Sequence, residues 1–223
     1  MVNVSVSARK RTAGETDTRI RIVAAARGLF ISRGFSKVTM DELAEQLGIS
    51  KKTLYRHFKA KDDLVEAAVE WQMLYIRQNL AEIFSRPGDF LDRLYALCSF
   101  ISGALARIDR CFLEDLRRFR PDLWKKIEEF RRARIGGEFA KVIGDGRRIG
   151  VVRGDVNVEL FILIFLAAVQ GVVNPETLSR HSFSAEEAYR GVIGVMFEGI
   201  LADSVKPLFR ARFKQTAGKG KKQ

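Results

Sequence analysis

With 223 residues, 47% of them hydrophobic and 16 of them Phe, the chain can build one large or two small domains, and global disorder is excluded. Two cysteines, Cys98 and Cys111, and two histidines, His57 and His181, supply neither a disulfide framework nor a zinc or histidine-based metal centre. The net charge of +12 is unevenly placed: residues 1–60 and 204–223 carry +7 each and residues 61–203 carry −2, a clustering that points to a polyanion partner.

The opening "MVNVSVSARKRT" has no apolar stretch after its charges, so a secretory signal is not expected. Residues 1–15, with Arg9-Lys10-Arg11, read as a flexible basic arm. From Thr18 the pattern turns helical, with Ile22, Ala25, Ala26, Leu29 and Phe30 on one stripe. Gly34 stands where a left-handed residue ends a helix. Thr39-Met40-Asp41-Glu42 has the spacing of a capping box, and Val38 with Leu43 can staple it, so a second helix is predicted from Thr39 to about Leu47. Gly48 breaks that helix and Ser50 can cap the next.

The third helix is "KKTLYRHF". At roughly 100° per residue, Leu54 and Phe58 share a face, while Lys52 and Arg56 lie about 160° from Leu54. Thr53 and Tyr55 flank that outer surface. The result is a thin apolar keel under a cationic, hydrogen-bonding face. With Leu43, Leu47 and Ile49 also inward and Ala44 small at the crossing, the segment is a helix–turn–helix whose second helix enters the major groove.

Farther on, long helices are predicted at about 61–84 and 89–108. Shorter ones follow at 111–119 and 121–144, then a loop over "GDGRRIGVVRGD". Two apolar helices come next, about 158–172 and 185–204. The run "LFILIFLAAV" is ten residues, about half of what a bilayer span needs, so no membrane partner is expected. Apolar all round, it should be buried on every side, as core plus dimer interface. Gly191, Gly194 and Gly199 permit close approach, so these two helices should form a four-helix bundle with a second subunit. Residues 207–223 read as a basic, disordered tail.

Over roughly Thr18 to Val69, "GFSKVTMDELAEQLGISKKTLYRHFKAKDDLV" resembles the tetracycline-repressor (TetR) family of bacterial regulators. The match rests on the Gly-Phe corner, the capped second helix, "GIS", "LYRHF" and the lysine opening helix four. The resemblance implies an all-α homodimer. An N-terminal three-helix domain (16–60) would bind a palindromic operator. A larger C-terminal helical domain (61–206) would hold an inducer pocket and the dimer interface, though it matches only in helix number and length. Ala60 departs from the family's usual Ser, Asn or Asp cap, a loss worth ~1 kcal/mol that Asp62 and Asp63 partly offset through the helix dipole.

Lys52 and Arg56 point most directly outward and are the base-contact candidates, Arg being suited to guanine O6 and N7. Thr53 and Tyr55 can reach phosphate or a thymine methyl. By resemblance, Thr39, Lys51, Tyr55, His57 and Lys61 touch the DNA backbone; His57 reads equally well as a packed structural histidine. Trp71, Leu74, Phe100, Phe112, Trp124, Phe139 and Phe165 lie on helices that by resemblance surround the inducer pocket, although each also reads as ordinary core. Gln170 and Cys98 are the polar candidates there, so a small, mostly apolar effector is expected. The expected function is that of a cytoplasmic repressor released from its operator by that effector, without a cofactor. No catalytic arrangement, phosphate loop or metal cluster suggests an enzyme. A sequence-neutral nucleic-acid packaging protein and a helical small-molecule binder without operator binding are the alternatives.

Overall fold

The computed structural model describes the backbone over residues 3–85 and 88–217, and side chains over 17–85 and 88–213. Twelve α-helices and one π-helical turn account for most of these residues. The first three build the small N-terminal module: α1 (Asn3–Arg33), α2 (Met40–Gln46) and α3 (Lys51–His57). Helix α1 is drawn from Asn3, earlier than the Thr18 start that the pattern implies; the arm expected over residues 1–15 lies outside the described side chains.

The predicted punctuation marks this module out residue by residue. Gly34 (φ +80°) ends α1 and Gly48 (φ +62°) ends α2, both in the left-handed region that glycine enters without a Cβ penalty. Thr39 accepts the Glu42 amide at 3.1 Å and Ser50 accepts the Thr53 amide at 3.1 Å. The Thr39 capping box is only half made, because the Glu42 carboxylate pairs with Arg33 instead. At Ala60 the opposite half survives: the Asp63 carboxylate accepts the Ala60 amide at 3.1 Å, so the missing cap is replaced from within α4 (Lys61–Ser85). Ile22, Ala26, Phe30, Leu43, Leu54 and Phe58 are buried together and fix α3 on α1 and α2.

The remaining helices pack around one contiguous apolar core. They are α5 (Phe90–Leu105), α6 (Arg110–Phe119), α7 (Pro121–Phe130), α8 (Gly136–Arg148), α9 (Val158–Val172), α10 (Pro175–Arg180), α11 (Ala185–Ile200) and α12 (Lys206–Ala217). The single helix expected over 121–144 is interrupted by the π-helical turn Arg131–Ile135, and α8 runs four residues past the expected end at 144. After it, the Arg153 amide donates to Ile200 O and the Ala202 amide to Val151 O, each at 2.9 Å, tying this loop to the end of α11. Helix α10, capped by Asn174 and opened by Pro175, is an addition to the predicted elements.

The core centres on Phe139, Phe161, Phe165 and Phe197, with ring centroids 4.7 Å apart for Phe139–Phe165 and 5.4 Å for Phe161–Phe197. Helix α8 meets α5 so closely that a Cβ on Gly146 would lie 2.2 Å from the Phe90 ring. Gly146→Ala should therefore force the two helices apart and cost about 1–3 kcal/mol, read as a lower urea midpoint with unchanged m-value.

The tail expectation needs correction. Residues 206–217 are helical, and Phe209 is buried, its ring 6.4 Å from Phe197 and 5.4 Å from Phe213. Arg210 reaches Glu198 at 2.8 Å and Arg212 reaches Asp92 at 2.6 Å, so two of the supposed tail cations are ion-paired to α11 and α5. Residues 218–223 lie outside the described residues.

Candidate nucleic-acid interface and ligand cavity

Helix α3 presents the face its spacing implied. Leu54 and Phe58 are buried, and Lys51, Lys52, Tyr55 and Arg56 are exposed. Thr53 is half-buried, its hydroxyl 2.9 Å from that of Ser50, so its side chain helps to cap the helix. Lys51 forms an exposed ion pair with Asp41 at 2.6 Å, an interaction weak enough for a phosphate to displace. Arg19 adds a cation from α1, its guanidinium 4.5 Å from the Phe58 ring centroid.

Two predicted contact residues are more tightly held. The His57 Nε2 is closed off from solvent without a hydrogen-bond partner, which places that edge of the ring on the packed side. Lys61 turns its ammonium to the Ser36 carbonyl at 3.3 Å, and partial burial lowers its pKa. It sits on a junction that composition did not reveal. The buried Asp115 carboxylate on α6 accepts the Ser36 amide at 2.6 Å, so the α1–α2 turn is tied to the C-terminal helices.

Behind this junction lies a partly enclosed, mostly apolar cavity of about 150 Å³. It is walled by α1 and α4 on one side and by α5, α6, α7, the π-helical turn, α9 and Tyr189 of α11 on the other. Its polar groups are few. Trp124 Nε1 and Gln170 Nε2 both donate to Glu128 Oε1, at 2.8 and 2.7 Å. Arg131, swung onto the wall at the π-helical turn, keeps its Nη1 buried without a hydrogen-bond partner, and burial lowers its pKa. The Arg27 guanidinium of α1 lies over the Trp71 ring at 4.5 Å and donates to Gln72 Oε1 at 2.6 Å.

Residues 22–68 match the model of the bacterial regulatory proteins of the tetR family. The chain is 29% identical over 187 residues to the uncharacterized HTH-type transcriptional regulator YvaF of Bacillus subtilis, spanning 82% of this chain and 95% of that one. Over residues 22–68 it carries the TetR-type DNA-binding domain. Among solved structures, a TetR-family regulator from Agrobacterium tumefaciens shares the fold with a TM-score of 0.65 at 20% identity, over 84% of this chain and all of that one. A gamma-butyrolactone receptor does so with a TM-score of 0.61 at 20% identity, over 92% and 98%. With this domain and these relatives, the protein is a DNA-binding transcriptional regulator and not an enzyme. No helix among the described residues is long and apolar enough to cross a membrane.

TetR-family regulators bind ligands and act as dimers, and the geometry sorts the pocket residues expected from sequence. Phe100, Phe112, Trp124, Phe165 and Gln170 line the cavity. Trp71, Leu74, Cys98 and Phe139 do not: Trp71 stacks on Tyr75 at 5.5 Å, Leu74 is exposed, and Phe139 is core. Cys98 is buried beside Tyr189, and desolvation pushes its thiol pKa up. Sequence reasoning missed Arg27, Gln72, Glu128 and Arg131. Arg27 had a signal, standing four residues from both Val23 and Ile31, which are buried; the other three had none.

In the single chain, helix α9 is buried on one side only. Phe161, Ile162 and Phe165 are buried, but Leu160, Leu163 and Ile164 are 53%, 57% and 49% exposed in the single chain. Val195 on α11 is 78% exposed. These exposed apolar residues lie on the two helices from which the dimer contact was expected.

Proposed function

We propose that the protein is a homodimeric repressor, released from a palindromic operator by a small ligand that enters the partly enclosed cavity. The observation that carries this reading is the cavity's wall. Phe30 and Ile31 of α1, with Ala68, Val69 and Gln72 of α4, contribute to it, so an occupant touches the helix that supports α3. Any ligand that fits one α1–α4 arrangement better than another shifts the reading heads by its differential affinity. The exposed apolar band on α9 and α11 supports dimerisation through those helices. The exposed cations of α3 support base contact by Lys52 and Arg56, with Thr39, Lys51, Thr53, Tyr55, His57 and Lys61 on phosphates or sugars.

The test is selection of a binding site from random-sequence DNA, followed by salt-titrated affinities for the selected and a random duplex. A specificity ratio of roughly 10³ or more and a two-fold symmetric site are expected. Equal affinity for both duplexes would favour a packaging protein. Arg56→Ala should cost about 1–3 kcal/mol on the selected site and relax preference at one base pair in each half-site. Lys51→Ala should instead weaken both duplexes alike and reduce the magnitude of the log–log salt slope by roughly 0.9 for each phosphate that the lysine neutralises. Unchanged preference in Arg56→Ala would reject this docking face.

A further inference from the structure

The partly enclosed cavity adjoins a second compartment of different chemistry. A more open cleft of about 450 Å³ shares Arg27, Ile31, Gln72, Phe100 and Ala104 with it and adds Tyr75, Ser99 and Arg107. Arg27 therefore stands in the wall of both. Its Nη1 is taken by Gln72, its face lies against Trp71, and its Nε is buried without a hydrogen-bond partner. Burial first, and then repulsion from Arg107, hold its pKa below the ordinary value. Among the described residues, no Asp or Glu lines the cleft. The acid that lines the partly enclosed cavity, Glu128, is occupied by Trp124 and Gln170. Two guanidinium groups thus share one concave surface without a carboxylate in its wall, an arrangement that an entering anion would stabilise.

We propose that the effector is an amphipathic organic anion, with its apolar body in the partly enclosed cavity and a carboxylate or similarly compact acid head between Arg27 and Arg107. This rests on the reading of the cavity as the effector site and adds the ligand's chemical class. This cavity has about the volume of a benzene-sized group, so a longer body extends toward the cleft. Guanidinium suits the head because it offers paired donors to a carboxylate. Arg131 is the competing anchor, but Glu128 is close enough to offset its charge. The cleft wall provides Arg27 and Arg107 with no such acid. The position also links to DNA binding: Arg27 belongs to α1, and just beyond Arg107 the Asp109 amide donates to Ile31 O of α1 at 2.8 Å.

Octanoate, 1-octanol and octylammonium share one chain and differ in head charge, which makes them suitable probes. In calorimetric titrations of the 223-residue protein without DNA, octanoate should bind about tenfold or more tightly than octanol, with octylammonium weakest. Arg107 is exposed, so Arg107→Gln should fold normally and bring octanoate affinity down to that of octanol, as should Arg27→Gln. Octanol itself should change less than about threefold in either variant. Arg131→Gln should keep the preference for octanoate. Equal binding of octanoate and octanol, no octanoate binding at millimolar concentration, or a preference lost in Arg131→Gln but kept in Arg107→Gln would each overturn the proposal. Operator binding is not part of this readout, so its failure leaves operator recognition and release intact, and the converse holds.

Discussion

Leu163→Glu should turn the protein into a monomer and remove operator binding with it. Leu163 is exposed in the single chain, so the substitution meets no resistance from the fold itself. In a two-fold contact the same position occurs twice, and each missing leucine removes about 1.5–3 kcal/mol of apolar burial. A carboxylate driven into that contact adds several kcal/mol more. The dimer dissociation constant should rise by roughly four orders of magnitude. Palindromic recognition needs two linked readers about 34–36 Å apart, so specific affinity should collapse, while the phosphate contacts of each α3 keep binding random DNA weakly. Gly194→Arg tests the same surface from α11, since a Cβ there meets nothing within 4 Å in the single chain. Sedimentation at micromolar concentration gives the oligomeric state. If both variants stay dimeric, the subunits meet elsewhere.

What was legible in the sequence was local. The caps Thr39 and Ser50, the stops Gly34 and Gly48, and the Leu54–Phe58 keel each involve residues three or four apart, or a single backbone conformation, and they hold in the structure. The failures involve partners distant in sequence. Glu42 leaves its capping box because Arg33 competes for it. The basic residues after 206 looked unable to build a core, yet Phe209 docks on Phe197, Phe213 one helical turn on stacks on Phe209, and α12 becomes part of the domain. That i, i+4 phenylalanine pair was the available signal, and the charge run obscured it. The cavity was least legible, because its wall draws on helices spread from α1 to α11 and its arginines are solvated-looking residues in the linear chain. The spacing of Arg27 from Val23 and Ile31 was the one hint, and only packing shows that Arg131 lies on a π-helical turn in the wall.

Gly34→Ala should cost about 2–4 kcal/mol and weaken operator binding beyond what reduced stability explains. Part of the cost is conformational, because φ is +80° and an L-residue is strained there by about 1–2 kcal/mol. The rest is steric. An added Cβ would lie 2.8 Å from Asp115 Oδ2, 3.0 Å from Cys111 Cβ and 3.2 Å from the Cys111 carbonyl carbon, and the last of these is backbone that cannot rotate away. Relief requires α6 to retreat from the α1–α2 turn, typically at about 1–3 kcal/mol. The same retreat stretches the bond from the Ser36 amide to Asp115, which joins the α1–α2 turn to the helices that wall the cavity. Asp115→Ala removes that bond without adding bulk and should cost about 1.5–3 kcal/mol, the range for hydrogen bonds to a charged group. The double variant should then be less damaging than the two costs added, because Asp115→Ala clears the nearest of the three clashes. Urea unfolding of the four proteins gives this coupling directly. Strict additivity, or a Gly34→Ala cost within about 0.5 kcal/mol of zero, would mean that the turn moves independently of α6 and that the ligand signal reaches α3 by another route.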